Sequence, residues 1–70
     1  MTFQKIIEIL RNRRRRLDIS QQDLSELSGV SLRTIKAVEK GEANPTVALL
    51  TRLLEPLGLT IEIIERVRNE

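Results

Sequence analysis

Cysteine, histidine, tryptophan and tyrosine are all absent from the 70 residues, and Phe3 is the single aromatic. Without thiol or imidazole there is no thiolate nucleophile, no Ser-His dyad, no zinc site of the usual ligands and no side chain titrating near neutral pH. The composition argues against an enzyme and calls for no cofactor or metal. With its one aromatic on an apolar stripe, the chain is poorly equipped to stack on unpaired bases. No apolar run approaches the roughly 20 residues of a membrane span. The opening MTFQKIIEIL carries amide and acid too early for a secretory signal, so the expected location is cytoplasmic. A chain this short, lacking disulfide or metal staples, gains stability from helix packing or from oligomerisation. A homodimer is therefore expected.

What is present is a charge imbalance and a series of helical stripes. Residues 1–41 hold nine Lys/Arg against five Asp/Glu, whereas residues 42–70 hold three against five. The basic front half is the half suited to a polyanion, although a solvated charged surface would look the same. Phe3, Ile6, Ile7, Leu10 and Leu17 recur at helical spacing behind a capping Thr2. Ser20 and Asp23 form a capping-box pattern ahead of Leu24 and Leu27, the expected buried pair of a second helix that stops at Gly29. Ser31 caps a third helix from Leu32 to about Lys40, with Leu32, Ile35 and Val38 inward and Gly41 as its stop. Two short helices across so short a turn form a helix-turn-helix layout. A fourth helix opens at Pro45 or Thr46 with Val47, Leu50, Leu53 and Leu54 as its apolar face. Pro56 distorts its last turn and Gly58 ends it. The tail LTIEIIERV alternates Leu59, Ile61 and Ile63 with polar residues, which favours a strand; a fifth helix capped by Thr60 is the alternative. A strand there has no partner within the chain, so two-fold antiparallel pairing with a second copy would follow.

The arginine cluster RNRRRR at residues 11–16 separates by helical phase. With Leu10 at zero, Arg14 falls at about +40°, inside the apolar stripe, and Arg13 at about −60°, on its margin. Arg11, Arg15 and Arg16 face outward, toward water or a ligand. An arginine on a core face is costly unless paired. Glu39 is the matching oddity on the third helix, about +40° from Ile35. The two are expected to form a salt bridge tying the first helix to the third, the alternative being that each reaches solvent independently.

The stretch QQDLSELSGVSLRTIKAVEKGEANP resembles the helix-turn-helix of the phage-repressor and Cro (XRE) type. Gln21, Leu24, Gly29-Val30-Ser31, Ile35, Glu39-Lys40-Gly41 and Pro45 stand where that pattern has them. The resemblance runs from Arg14, matching the family's arginine partnered with a glutamate, to Pro56-Leu57-Gly58. Ser25 departs from the pattern's usual alanine, and Pro56 from its small or polar residue. The tail is similar to the strand tails of HipB-like antitoxin repressors, over a short and less specific stretch. The resemblance implies an all-α fold, a four-helix lambda-repressor-like helix-turn-helix domain over residues 1–58. Residues 59–70 would then be a tail for dimerisation, with Leu59, Ile61 and Ile63 on a short strand that pairs across the dimer.

In such a motif the second helix enters the major groove of double-stranded DNA. Arg33 is the candidate for a bidentate contact to guanine, Lys36 for a guanine or phosphate, and Leu32 or Ala37 for a thymine methyl, Leu32 being equally suited to packing. Gln21, Ser31, Thr34, Lys40 and Asn44 are the candidate phosphate contacts. The functional expectation is a sequence-specific, autoregulatory repressor acting as a homodimer on an inverted repeat, free-standing or as the antitoxin partner of a toxin protein. A protein-interaction module that keeps the fold without reading DNA, and a sequence-independent nucleic-acid binder, are the competing expectations.

Overall fold

A computed structural model describes residues 2–67. It contains α1 (Phe3–Arg16), α2 (Gln21–Ser28), α3 (Leu32–Lys40) and α4 (Val47–Leu54), the last continued by a 3-10 turn, Glu55–Leu57. Met1 and residues 68–70, the end of the expected tail, lie outside the described residues.

A hydroxyl sets the start of every α-helix. Thr2, Ser20, Ser31 and Thr46 sit in extended backbone, and each side chain accepts a hydrogen bond from the amide three residues on. One of the amides that a helix start leaves without an intrahelical partner is thereby satisfied. Ser20 and Asp23 complete the reciprocal capping box. Thr46, rather than Pro45, caps α4. α1 ends without glycine: Asp18 takes φ +55°, its amide donates to the Arg15 carbonyl and that of Ile19 to the Arg14 carbonyl. A short polar side chain tolerates this left-handed turn, which sequence spacing does not flag. Pro56, with no amide to donate, lies in the first turn of the 3-10 segment that replaces the end of α4.

α2 packs on α3, α1 on α3, and α4 on α2, around Ile7, Leu10, Leu24, Val30, Ile35, Val38, Leu53, Leu54 and Leu57. Four residues expected inside are exposed: Phe3, Leu17, Leu27 and Val47. Phe3 and Val47 open their helices, where no preceding turn covers them. Leu17 is the cap of α1 and leaves its helical phase. Leu27 lies roughly 60° around α2 from Leu24, beyond the seam with α3. Ile19, Ala43, Leu49 and Leu59 pack partly against the core and help close it.

Among the described residues the tail after Leu59 forms no helix, so the Thr60-capped fifth helix is overturned there, and no strand is formed within this single chain either. No helix among them is long and apolar enough to cross a membrane.

The turn between α2 and α3 depends on Gly29, at φ +74°, where an added Cβ would meet Arg52 Nη2 at 2.9 Å. Arg52 Nη2 lies 3.3 Å from the carbonyl oxygens of both Ser28 and Gly29, linking α4 to that turn. Gly41, at φ +77°, has open space around the same position. Gly41→Ala should therefore cost about 1 kcal/mol of left-handed backbone strain alone, and Gly29→Ala should cost more because it also displaces Arg52. Urea denaturation of both variants, each with and without Arg52→Ala, checks this: the difference should vanish without the arginine.

Candidate nucleic-acid interface

The outward face of α3 carries the candidate base-reading side chains together. Leu32, Arg33, Lys36, Ala37 and Lys40 line one open hollow, joined by Glu42. Arg33, Lys36 and Lys40 are exposed; Leu32 and Ala37 are half-buried, so their apolar surface forms the floor between cations. Glu42 lies beyond the end of α3, so the helical phase of that segment does not point to it. The left-handed Gly41 turns the chain back so that the Glu42 amide donates to the Ala37 carbonyl at 2.9 Å, and Glu42 lines the hollow together with Lys40. A Glu-x-Gly-Glu ending of this helix is the signal that could have marked it.

The inward face of α3 is fixed by Glu39. Arg14 Nε donates to Glu39 Oε2 at 2.7 Å and Arg14 Nη2 to Oε1 at 2.9 Å, a two-pronged pair whose side chains are only 9% and 4% exposed. Arg14 Nη1 donates to the Ile19 carbonyl at 2.8 Å, and Gln21 Nε2 to Glu39 Oε1 at 3.1 Å. One charge network thus joins α1, the turn before α2, the first residue of α2 and the last turn of α3. Planar, charge-assisted bonds of this kind fix orientation as well as distance.

Two further arginines of the cluster brace the fold. Arg11, expected to face outward, is half-buried, and its Nη1 donates to the Glu39 backbone carbonyl at 3.2 Å near the carbonyl-rich end of α3. Arg13 Nε donates to the Leu57 carbonyl at 2.9 Å, tying α1 to the 3-10 turn. Helical phase identifies a side; it does not identify the carbonyls that reach that side from distant segments. Arg15 and Arg16 are exposed.

The candidate phosphate-contacting residues are dispersed. Gln21 commits one amide hydrogen to Glu39 and keeps a second. Ser31 accepts from the Thr34 amide and donates to the Thr34 hydroxyl at 2.8 Å, on the exposed start of α3. Lys40 borders both the α3 hollow and a second one between α1 and the loop after α3, where Asn44 lies beside Phe3, Glu8 and Arg11. At the start of α2 the exposed Asp23 carboxylate accepts from the Ser20 amide and lies close to the Ser20 hydroxyl, and these contacts hold its pKa below its ordinary value. A carboxyl with a folded-state value below its unfolded one stabilises above about pH 4 and loses that contribution as pH falls through the folded-state value. Ser25, in place of the pattern's alanine, donates from Oγ to the Val30 carbonyl at 2.6 Å across the α2–α3 turn. Among the described residues no group of acidic side chains could hold a metal ion.

A family profile described as helix-turn-helix matches residues 10–64, which contain all of this geometry except the first half of α1 and its cap. The chain belongs to that family. It is 45% identical over 65 residues to an uncharacterized HTH-type transcriptional regulator of Haemophilus influenzae, covering 91% of this chain and 66% of that protein. It is 38% identical over 50 residues to an uncharacterized HTH-type transcriptional regulator of Methanothermobacter thermautotrophicus, covering 71% of this chain and 72% of that one. A third such regulator, from Methanocaldococcus jannaschii, is 38% identical over 47 residues, covering 67% and 71%. The chain thus spans about two thirds of the length of the curated relatives it matches. No solved structure matches it. Within the helix-turn-helix, α2 and α3 are the paired helices, and Gly29-Val30-Ser31 is their turn.

Removing either partner of the buried pair leaves an uncompensated charge, so Arg14→Met and Glu39→Leu should each cost about 3 kcal/mol or more. The double variant should lose less than the sum of the two. Urea midpoints of the three variants measure the coupling, and additive losses would show that the two side chains act independently. Ser20→Ala should move the Asp23 titration, followed by carboxyl NMR shifts, up toward the ordinary carboxylate range.

Proposed function

We propose that the chain is a DNA-binding transcriptional regulator, not an enzyme, acting in the cytoplasm as a homodimeric repressor of its own promoter. The observation that carries this reading is the division of α3 into two faces. Arg33, Lys36 and Lys40 surround one hollow on the outside, and the Arg14–Glu39 pair holds the inside at fixed orientation. A rigid cationic helix presented by a short turn fits the major groove, where arginine reads guanine through two parallel hydrogen bonds. Membership of the helix-turn-helix family and the transcriptional-regulator names of the relatives support the same reading.

In this reading Arg33 and Lys36 contact base edges, and Leu32 and Ala37 supply the apolar surface for a thymine methyl. Gln21, Ser31, Thr34, Lys40 and Asn44 hold phosphates; Arg14 and Glu39 orient α3 without touching DNA. Residues 59–70 join two copies. A two-fold dimer places its two reading helices about 34 Å apart on one side of the duplex, so the operator is an inverted repeat and its occupation blocks transcription.

Titration of the full chain against its own upstream DNA and a scrambled duplex, at two salt concentrations, tests the proposal. Binding should weaken steeply with salt, and Lys40→Ala should weaken both duplexes alike and lower the salt slope by about one per protomer. Arg33→Ala should lose about 10- to 100-fold on the operator and little on the scrambled duplex. Equal wild-type affinity for both duplexes would overturn specific repression. Full regulatory function without Arg33 and Lys36 would favour a protein-interaction module.

A further inference from the structure

The tail carries apolar side chains that nothing in the single chain covers. Ile63 is 100% exposed and Ile64 78%, and Val67 is also exposed, whereas Leu59 packs partly against the core. Just before them, Leu59 and Ile61 join Ile6 and Ile9 of α1 and Leu54 of α4 around a mainly apolar groove that Thr60 and Glu62 also line. Groove and uncovered isoleucines are thus neighbours on one segment, as a self-complementary interface requires.

Resting on the dimeric reading above, we infer that the occupant of this face is the tail of a second copy, paired antiparallel with the two-fold axis at Ile64. Symmetry limits the choices. A two-fold axis perpendicular to a pair of identical antiparallel strands must place some residue opposite its own copy, because opposed side chains share a face and successive ones alternate. An axis at Glu62 or Glu65 would oppose two carboxylates, and one at Arg66 two guanidiniums, both unfavourable. An axis at Ile61 would bring Ile64 opposite Gly58 and leave Val67 beyond the pairing. An axis at Leu59 or Thr60 would set Ile63 and Ile64 against the helical residues 54–57, and one at Val67 would set Arg66 against Arg68, so among residues 59–67 Ile63 and Ile64 remain. With the axis at Ile63, Glu62 faces Ile64 and Glu65 faces Ile61, acid against isoleucine at four places in the dimer. With the axis at Ile64, Glu62 faces Arg66 twice, Ile61 faces Val67 twice, and only Glu65 opposes an isoleucine, Ile63.

The charged pairs then flank Ile64 on one face of the ribbon. Ile61, Ile63, Glu65 and Val67 lie on the other, and Ile61 lines the groove beside Ile6 and Ile9. The partner's valine joins Ile61 and Ile63 in an apolar cluster at each end of that face, with the two Glu65 side chains between the clusters.

The absence of cysteine from the chain makes a direct test clean. Ile63→Cys and Ile64→Cys are introduced singly into the full chain, oxidised mildly and run without reductant, beside sedimentation of the unmodified protein. Ile64→Cys should cross-link nearly completely. Ile63→Cys should not, because residues diagonal across two strands are about 7–8 Å apart, beyond the reach of a disulfide. Glu62→Arg should raise the dimer dissociation constant about tenfold as two attractive pairs become repulsive, and Glu62→Arg with Arg66→Glu should restore it. Preferential cross-linking of Ile63→Cys would overturn this register while keeping a tail-to-tail dimer. A dimer that neither cysteine captures would overturn the tail interface, and a monomer would overturn the dimeric reading as well.

Discussion

The Arg14–Glu39 pair is the constraint on which the rest of this structure depends. Both groups are charged and nearly excluded from solvent, so each is tolerable only in the presence of the other. Their geometry is also over-determined: two bonds between them, one from Arg14 to the Ile19 carbonyl and one from Gln21 to Glu39. A well-packed hydrophobic contact at the same place would be roughly as stabilising but would lack the directional bonds that define orientation. The charge network fixes the rotation of α3 about its own axis, and that rotation decides which residues face outward.

Stability elsewhere comes from many small local devices rather than from a large core. Four hydroxyl caps, one of them completed by Asp23, set where the α-helices begin. Left-handed residues at Asp18, Gly29, Gly41 and Gly58 set where the chain turns. Between them, arginines from distant positions satisfy turn carbonyls: Arg11 at the end of α3, Arg13 at the 3-10 turn and Arg52 at the α2–α3 turn. A cluster that looks like a basic tag is therefore in large part a set of internal fasteners; of its five arginines Arg15 and Arg16 are exposed, as are Arg33, Lys36 and Lys40 on α3.

Much of this arrangement was legible because it is local. Caps and stops follow from side-chain oxygens and glycines at fixed offsets, so the four helices and the turn between α2 and α3 could be placed from the chain alone. The helical wheel separated Arg14 from its neighbours and marked Glu39, since a charge within an apolar stripe shows in one segment by itself. Leu27 and Phe3 were misplaced for the complementary reason: a stripe gives a direction, while coverage depends on whether another element arrives there. Arg11 and Arg13 illustrate the same point with polar partners, their acceptors lying 28 and 44 residues away.

The sequence by itself determined where the helices start, the stops at Gly29, Gly41 and Gly58, the charge asymmetry, and the residues on the outer face of α3. Each is a property of one segment, governed by backbone preference, hydrogen-bonding capacity or helical period. Only the tertiary structure decided which arginines brace the fold, how Glu42 joins the α3 hollow, that Gln21 belongs to the charge network, and that the tail stands uncovered beside a groove. Those features depend on distances between segments that the order of residues does not carry, because they arise only when the whole core has closed.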